Sequence, residues 1–157
     1  PAGVDALELG AALGLVIARP ACRVAEAEAL GHVGALLVAA DLSVPHASFY
    51  RPSVRFKALD GSCRLGTPVA RDGLDPDALE IRVEVDGRPV QQASTARFQR
   101  HAARLLAEVS AFMTLHPGDV LLTGVPFGAP QVRAGQRVRI AIGGVGSLEL
   151  DFVAEGS

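Results

Sequence analysis

The sequence predicts a mixed-β (α+β) fold, many short strands with a few short helices. Three observations carry that expectation. Residues 79–86 (L-E-I-R-V-E-V-D) alternate apolar and charged side chains, the two-residue period of a strand with one wet face. Turn signals recur along the chain, among them Asp86-Gly87, His116-Pro117-Gly118-Asp119 and the run Gly143-Gly144-Val145-Gly146. The longest stripe at helical spacing (Phe98, Leu105, Leu106, Val109, Phe112) predicts a helix that Ser94 or Thr95 caps and that runs to about Met113.

The remaining elements follow in order. Residues 7–19 read as one or two strands broken by Gly10 and Gly14, residues 23–33 as a helix, and residues 35–42 as a buried strand. Residues 66–76 are turn-rich, and Asp86-Gly87 predicts a hairpin returning through residues 88–92. On the helix near residue 100, Arg104 and Glu108 are spaced to pair on the wet face. His116 to Asp119 leads into a strand over residues 120–123, residues 124–128 (G-V-P-F-G) form a tight loop, and residues 136–142 and 147–153 form a hairpin.

Composition bounds the function. The 157 residues suit one domain spanning 1–157, and the abrupt start at Pro1 leads us to expect missing N-terminal residues. A hydrophobic share of 49% against 20% charged allows a buried core. A net charge of −2, no Trp and few aromatics argue against nucleic acid as a partner. The longest apolar runs, 11–18 and 35–40, fall short of the roughly 20 residues of a membrane helix. Cys22 and Cys63 have no CxxC spacing and read as ordinary thiols in a reducing, cytoplasmic setting.

The densest polar stretch is residues 39–61, A-A-D-L-S-V-P-H-A-S-F-Y-R-P-S-V-R-F-K-A-L-D-G. Pro45 and Pro52 oppose a continuous helix, so it reads as an irregular segment across a β scaffold, where binding groups commonly sit. Read from the residues alone, Asp41 is first a carboxylate capping the turn through Ser43 and second an oxygen ligand for a divalent ion. Lys57 reads as either an exposed strand-edge lysine or an ammonium that stabilises developing negative charge. Arg51 is a planar fork for a carboxylate or a structural tie, and Tyr50 beside it adds a hydroxyl or packs. His46 reads as a solvated loop histidine, and His32, His101 and His116 as structural or exposed.

The pattern D-x-S-x-P-x-x-S-F-Y-R-P-x-x-x-x-K-x-x-D-G resembles the fumarylacetoacetate hydrolase family. Within it the likeness is to the N-terminal half of the duplicated isomerase/decarboxylases of homoprotocatechuate (4-hydroxyphenylacetate) breakdown. The resemblance implies a β-roll or flattened barrel with a few helices, and Mg²⁺ or Mn²⁺ as cofactor. It further implies a reaction on an unsaturated 2-oxo or 2-hydroxy di- or tricarboxylic acid through a metal-bound enolate. Asp41 matches the metal-binding aspartate, Lys57 the active-site lysine, and Tyr50, Arg51, Gln92, Thr123 and Gly124 fall on substrate-facing segments; Gln91 and Thr95 belong to the same segment as Gln92, Thr95 reading rather as a helix cap. A homodimer, or pairing with an active paralogous copy, is the implied assembly.

The sequence also departs from the family pattern. Counting back from Leu15-Val16-Ile17-Ala18-Arg19, the two metal-ligand glutamates of an E-x-E motif fall on Gly10 and Ala12. Glu8 lies two residues too early, on the same strand face, and would need a bulge to take their place. Val125 replaces the second threonine of a T-G-T-P loop. The chain therefore reads as an isomerase/decarboxylase of this family, or as a metal-free silent partner of an active copy, or as an acylpyruvate-type C–C hydrolase.

Overall fold

The computed structural model describes residues 3–46 and 54–154. Its spine is an antiparallel pair of long strands, β1 (Leu7–Ile17) and β2 (Val33–Ser43). Between them lie a short helix α1 (Glu26–Ala29) and one 3₁₀ turn, far less helix than residues 23–33 predict. Around the spine, β3 (Cys63–Leu65) and β4 (Val69–Ala70) add to the edge of β2, while β7 (Val120–Leu122) and β8 (Gln131–Val132) add to the edge of β1. The stretch 66–76, read as turn-rich, thus contains one short edge strand, β4, with β3 just before it. A second sheet is ordered β10-β9-β5-β6, from β5 (Glu80–Val85), β6 (Arg88–Ser94), β9 (Arg137–Ile142) and β10 (Gly146–Asp151). The two sheets enclose one core and stay separate instead of closing into a barrel.

Gly10 and Gly14 do not break β1, because the strand is paired on both edges and the glycines serve packing. A Cβ on Gly14 would lie 2.6 Å from Leu37 Cδ1 and 2.9 Å from Val120 Cγ1, so large neighbours already fill that space. The pleat gives β1 two buried faces. Leu9, Ala11, Leu13, Leu15 and Ile17 join Leu36, Val38, Ile81, Val83 and Ile140 in the inter-sheet core. Ala12 packs on the opposite face with Leu37 and Ala39, bordered by Val16, Val120 and Leu122.

In the second sheet the alternation of residues 79–86 gives the expected strand, with Ile81 and Val83 buried and Glu80 and Arg82 exposed. Asp86 and Gly87 both take positive φ (51° and 75°), the geometry of a tight hairpin turn. The long helix expected from Ser94 to Met113 is not one helix. Ser94 Oγ accepts from Ala96 N (3.3 Å) and starts only a 3₁₀ turn, Thr95–Arg97. Phe98 and His101 are extended, and the helix α3 (Ala102–Ser110) begins afterwards. Its first turn is satisfied from a distance, since Ala102 N donates to Asp77 Oδ1 at 2.9 Å. Phe112 lies beyond its end and is exposed. Thr95 hydrogen-bonds Leu79, accepting from its N–H at 2.9 Å, and does not cap α3.

On the wet face of α3, Glu108 receives Arg104 (2.9 Å) and Arg100 (2.6 Å), which hold its carboxyl below the usual range. A lowered carboxylate pKa stabilises above the ordinary value and loses that contribution as pH falls. The stability gap between the native chain and Glu108→Gln is therefore expected above about pH 4.5, closing below it in acid titrations followed by circular dichroism. Ile140→Ala, at a fully buried site, is expected to cost about 2–5 kcal/mol in denaturant unfolding.

Candidate functional site

The candidate site lies on the face of the β1–β2 pair that points away from the inter-sheet core. The register sets Glu8 opposite Ser43, Gly10 opposite Asp41, and Ala12 opposite Ala39. β3 then sets Cys63 opposite Asp41, so Gly10, Asp41 and Cys63 form one row across three strands. After residue 43 the chain leaves the sheet and returns as α2 (Val54–Lys57), its return held by Val44 N donating to Phe56 O at 2.9 Å. Lys57, in the last turn of α2, places its Nζ 2.5 Å from Asp41 Oδ2.

Asp41 is thus tied to Lys57 rather than to the turn after Ser43, and Lys57 sits on a helix and not on a strand edge. The two side chains are 25% and 45% exposed, and solvent moderates the pair to about 0.2–1 kcal/mol. Glu8 Oε2 accepts from Ser43 Oγ at a long 3.4 Å. The bulge that would bring Glu8 to the Gly10 position is absent, because the register runs unbroken from Glu8 to Val16. His46 is half-buried, not solvated. Its ring stacks on Phe56 (centroids 4.7 Å apart, planes 13° apart) and its Nδ1 lies 3.0 Å from Val44 O. Tyr50 and Arg51 lie outside the described residues.

The loop after β7 supplies the other wall. Thr123 is buried, and both its N–H (3.0 Å) and its Oγ1 (3.2 Å) donate to Leu13 O, so its hydroxyl anchors the loop to β1. Gly124 has φ +112°, which a side chain would strain, and there the chain turns so that Val125 faces Gly10. At the far end Gln91 Nε2 donates to Phe127 O (3.3 Å) and Gly128 O (3.1 Å). Gln92, the neighbour favoured from sequence, is exposed on the second sheet opposite Arg82, since successive strand residues face opposite ways. Cys63 beside Asp41 went unnoticed from the sequence, because cross-strand register has no local signal.

These residues do not fit a divalent cation. Gly10 and Ala12 offer no donor, and Asp41 already has an ammonium counter-ion. Among the described residues no three His, Cys, Asp or Glu side chains are grouped to hold a metal. Mg²⁺ and Mn²⁺ need several oxygen ligands, which one paired carboxylate cannot supply.

Fold and sequence together identify the class. Residues 1–153 match the family described as Fumarylacetoacetate (FAA) hydrolase C-terminal, and the chain belongs to that family. More particularly, it is 39% identical over 146 residues to the 4-hydroxyphenylacetate degradation bifunctional isomerase/decarboxylase of Escherichia coli, covering 93% of this chain and 34% of that protein. The chain thus spans about a third of that relative's length. Among solved structures, 5-carboxymethyl-2-hydroxymuconate delta-isomerase from Mycobacterium smegmatis superposes with a TM-score of 0.92 at 34% identity, covering 100% of this chain and 62% of that one. Fumarylpyruvate hydrolase from Pseudomonas aeruginosa, solved with Mn²⁺ and pyruvate, gives a TM-score of 0.91 at 27% identity, covering 99% and 69%.

A double-mutant cycle of Asp41→Asn and Lys57→Met in denaturant unfolding is expected to return a coupling of about 0.2–1 kcal/mol that shrinks with added salt. Coupling that is salt-independent and above about 2 kcal/mol would mean the pair is desolvated.

Proposed function

We propose that this chain serves the isomerase/decarboxylase branch of the family, in breakdown of homoprotocatechuate-type unsaturated 2-oxo or 2-hydroxy di- and tricarboxylic acids. In this reading its own pocket is metal-free and it works as the silent copy of the fold, paired with an active copy. The observation that carries the reading is the row Gly10–Asp41, in which glycine faces the aspartate and Lys57 neutralises it. The identity to the bifunctional relative supports the pathway assignment. Within the pocket Asp41 and Lys57 hold a closed ion pair, Thr123 and Gln91 hold the loop, and Val125 offers apolar surface with no hydrogen-bond donor.

A second reading, turnover by this chain itself, is favoured by the retained Asp41–Lys57 pair. An ammonium at that place can stabilise negative charge on a bound 2-oxo acid. Calorimetric titration of the purified chain with Mn²⁺, with Asp41→Ala as control, separates the two. The expected outcome is no binding tighter than about 100 µM and no isomerisation or CO₂ release with Mn²⁺ present. Tight binding lost in the control, together with turnover, would overturn the silent-copy reading. Product analysis would then separate isomerisation or decarboxylation from hydrolysis.

A further inference from the structure

Gly10 differs from Gly14 in that a Cβ there would meet a backbone atom as well as a side chain. Its φ lies outside the left-handed region, so the backbone does not call for glycine there. Space does. A Cβ on Gly10 would lie 2.6 Å from Val125 Cγ1 and 2.7 Å from the backbone oxygen of Asp41. Contacts that short cannot stand, and one of the two atoms belongs to a backbone that yields only by moving a strand. The backbone that carries the valine is also held in place. Its loop is pinned by Thr123 on Leu13 O, by Gln91 on the carbonyls of Phe127 and Gly128, and just beyond by Leu9 N donating to Pro130 O at 2.8 Å.

We propose that Val125 and Gly10 form a steric interlock. The valine occupies the volume that a side chain at residue 10 needs, and the Asp41 carbonyl closes the rest. The missing carboxylate is therefore built into the packing of the site and cannot be restored by acidic substitution alone. This inference rests on the Gly10–Val125 geometry and stands apart from whether the chain is silent.

The test is a thermal-unfolding cycle of Gly10→Ala, Val125→Ala and the double variant. Alanine for glycine in a strand ordinarily stabilises or is neutral. Here Gly10→Ala is expected to lower Tm by about 2 °C or more. In the Val125→Ala background the loss should be at least halved, with a remainder from the Asp41 carbonyl. If Gly10→Ala does not fold, recovery of folding by Val125→Ala supports the interlock, and its failure overturns it. An unchanged or raised Tm for Gly10→Ala, or the same loss in both backgrounds, also overturns it. A second arm titrates Mn²⁺ into Gly10→Glu/Ala12→Glu with and without Val125→Ala. Binding is expected only when Val125 is cut back. Binding with Val125 intact, or in neither variant, counts against the interlock. Mn²⁺ binding by the native chain would sink the silent-copy reading and leave the unfolding cycle to stand by itself.

Discussion

The antiparallel register of β1 on β2, continuous from Glu8 to Val16, is the constraint on which the rest of the structure depends. Ten residue pairs from Glu8–Ser43 to Ile17–Val33 set two adjacent long strands, with a single irregularity near Val16. Because successive side chains alternate faces, that register assigns every residue of both strands at once. Leu9, Leu13, Leu36 and Val38 go to the core between the sheets, and Gly10, Ala12, Ala39 and Asp41 go to the other face. The same ladder that builds the core therefore composes the candidate site. A slip of one residue would turn Asp41 into the leucines between the sheets and turn those leucines toward the opposite face, which is why the register is strongly specified.

The chemistry of the site follows from what that face lacks. A divalent ion needs several oxygen ligands, and here the row reads Gly10, Asp41, Cys63. The single acid finds an ammonium 2.5 Å away, and the pair is electrically closed. Around it, several polar donors are tied to the backbone, while Gln91 Oε1 is buried without a hydrogen-bond partner among the described residues. Thr123 serves Leu13, Gln91 serves the loop carbonyls, and His46 lies on Phe56. The hydrogen bonds of this site stabilise loop positions more than they present free donors.

Much of the fold was legible locally. The alternation of residues 79–86, the Asp86-Gly87 turn and the last hairpin all appear where pattern and turn chemistry place them. The helices were less legible. Ser94 is a good capping residue, yet it opens only a 3₁₀ turn, and α3 starts where Asp77, far away in sequence, reaches Ala102 N. In the site, the motif singled out Asp41 and Lys57 one by one without pairing them, and the residue types at positions 10, 12 and 125 could be read by counting. Which of Gln91 and Gln92 reaches the loop could not, since it depends on which face of β6 turns toward it.

By itself the sequence determined the class of fold and the family, and it put glycine and alanine, which offer no ligand, at positions 10 and 12, because these reside in periodicity, motif spacing and residue identity. Only the tertiary structure decided that Lys57 neutralises Asp41, that Glu8 stays in register and cannot take the missing place, and that Val125 stands over Gly10. Each of these is a contact between residues far apart in the chain, set by strand register and loop anchoring. No local pattern encodes such distances, since they exist only once the two long strands are paired and the loop is tied across them.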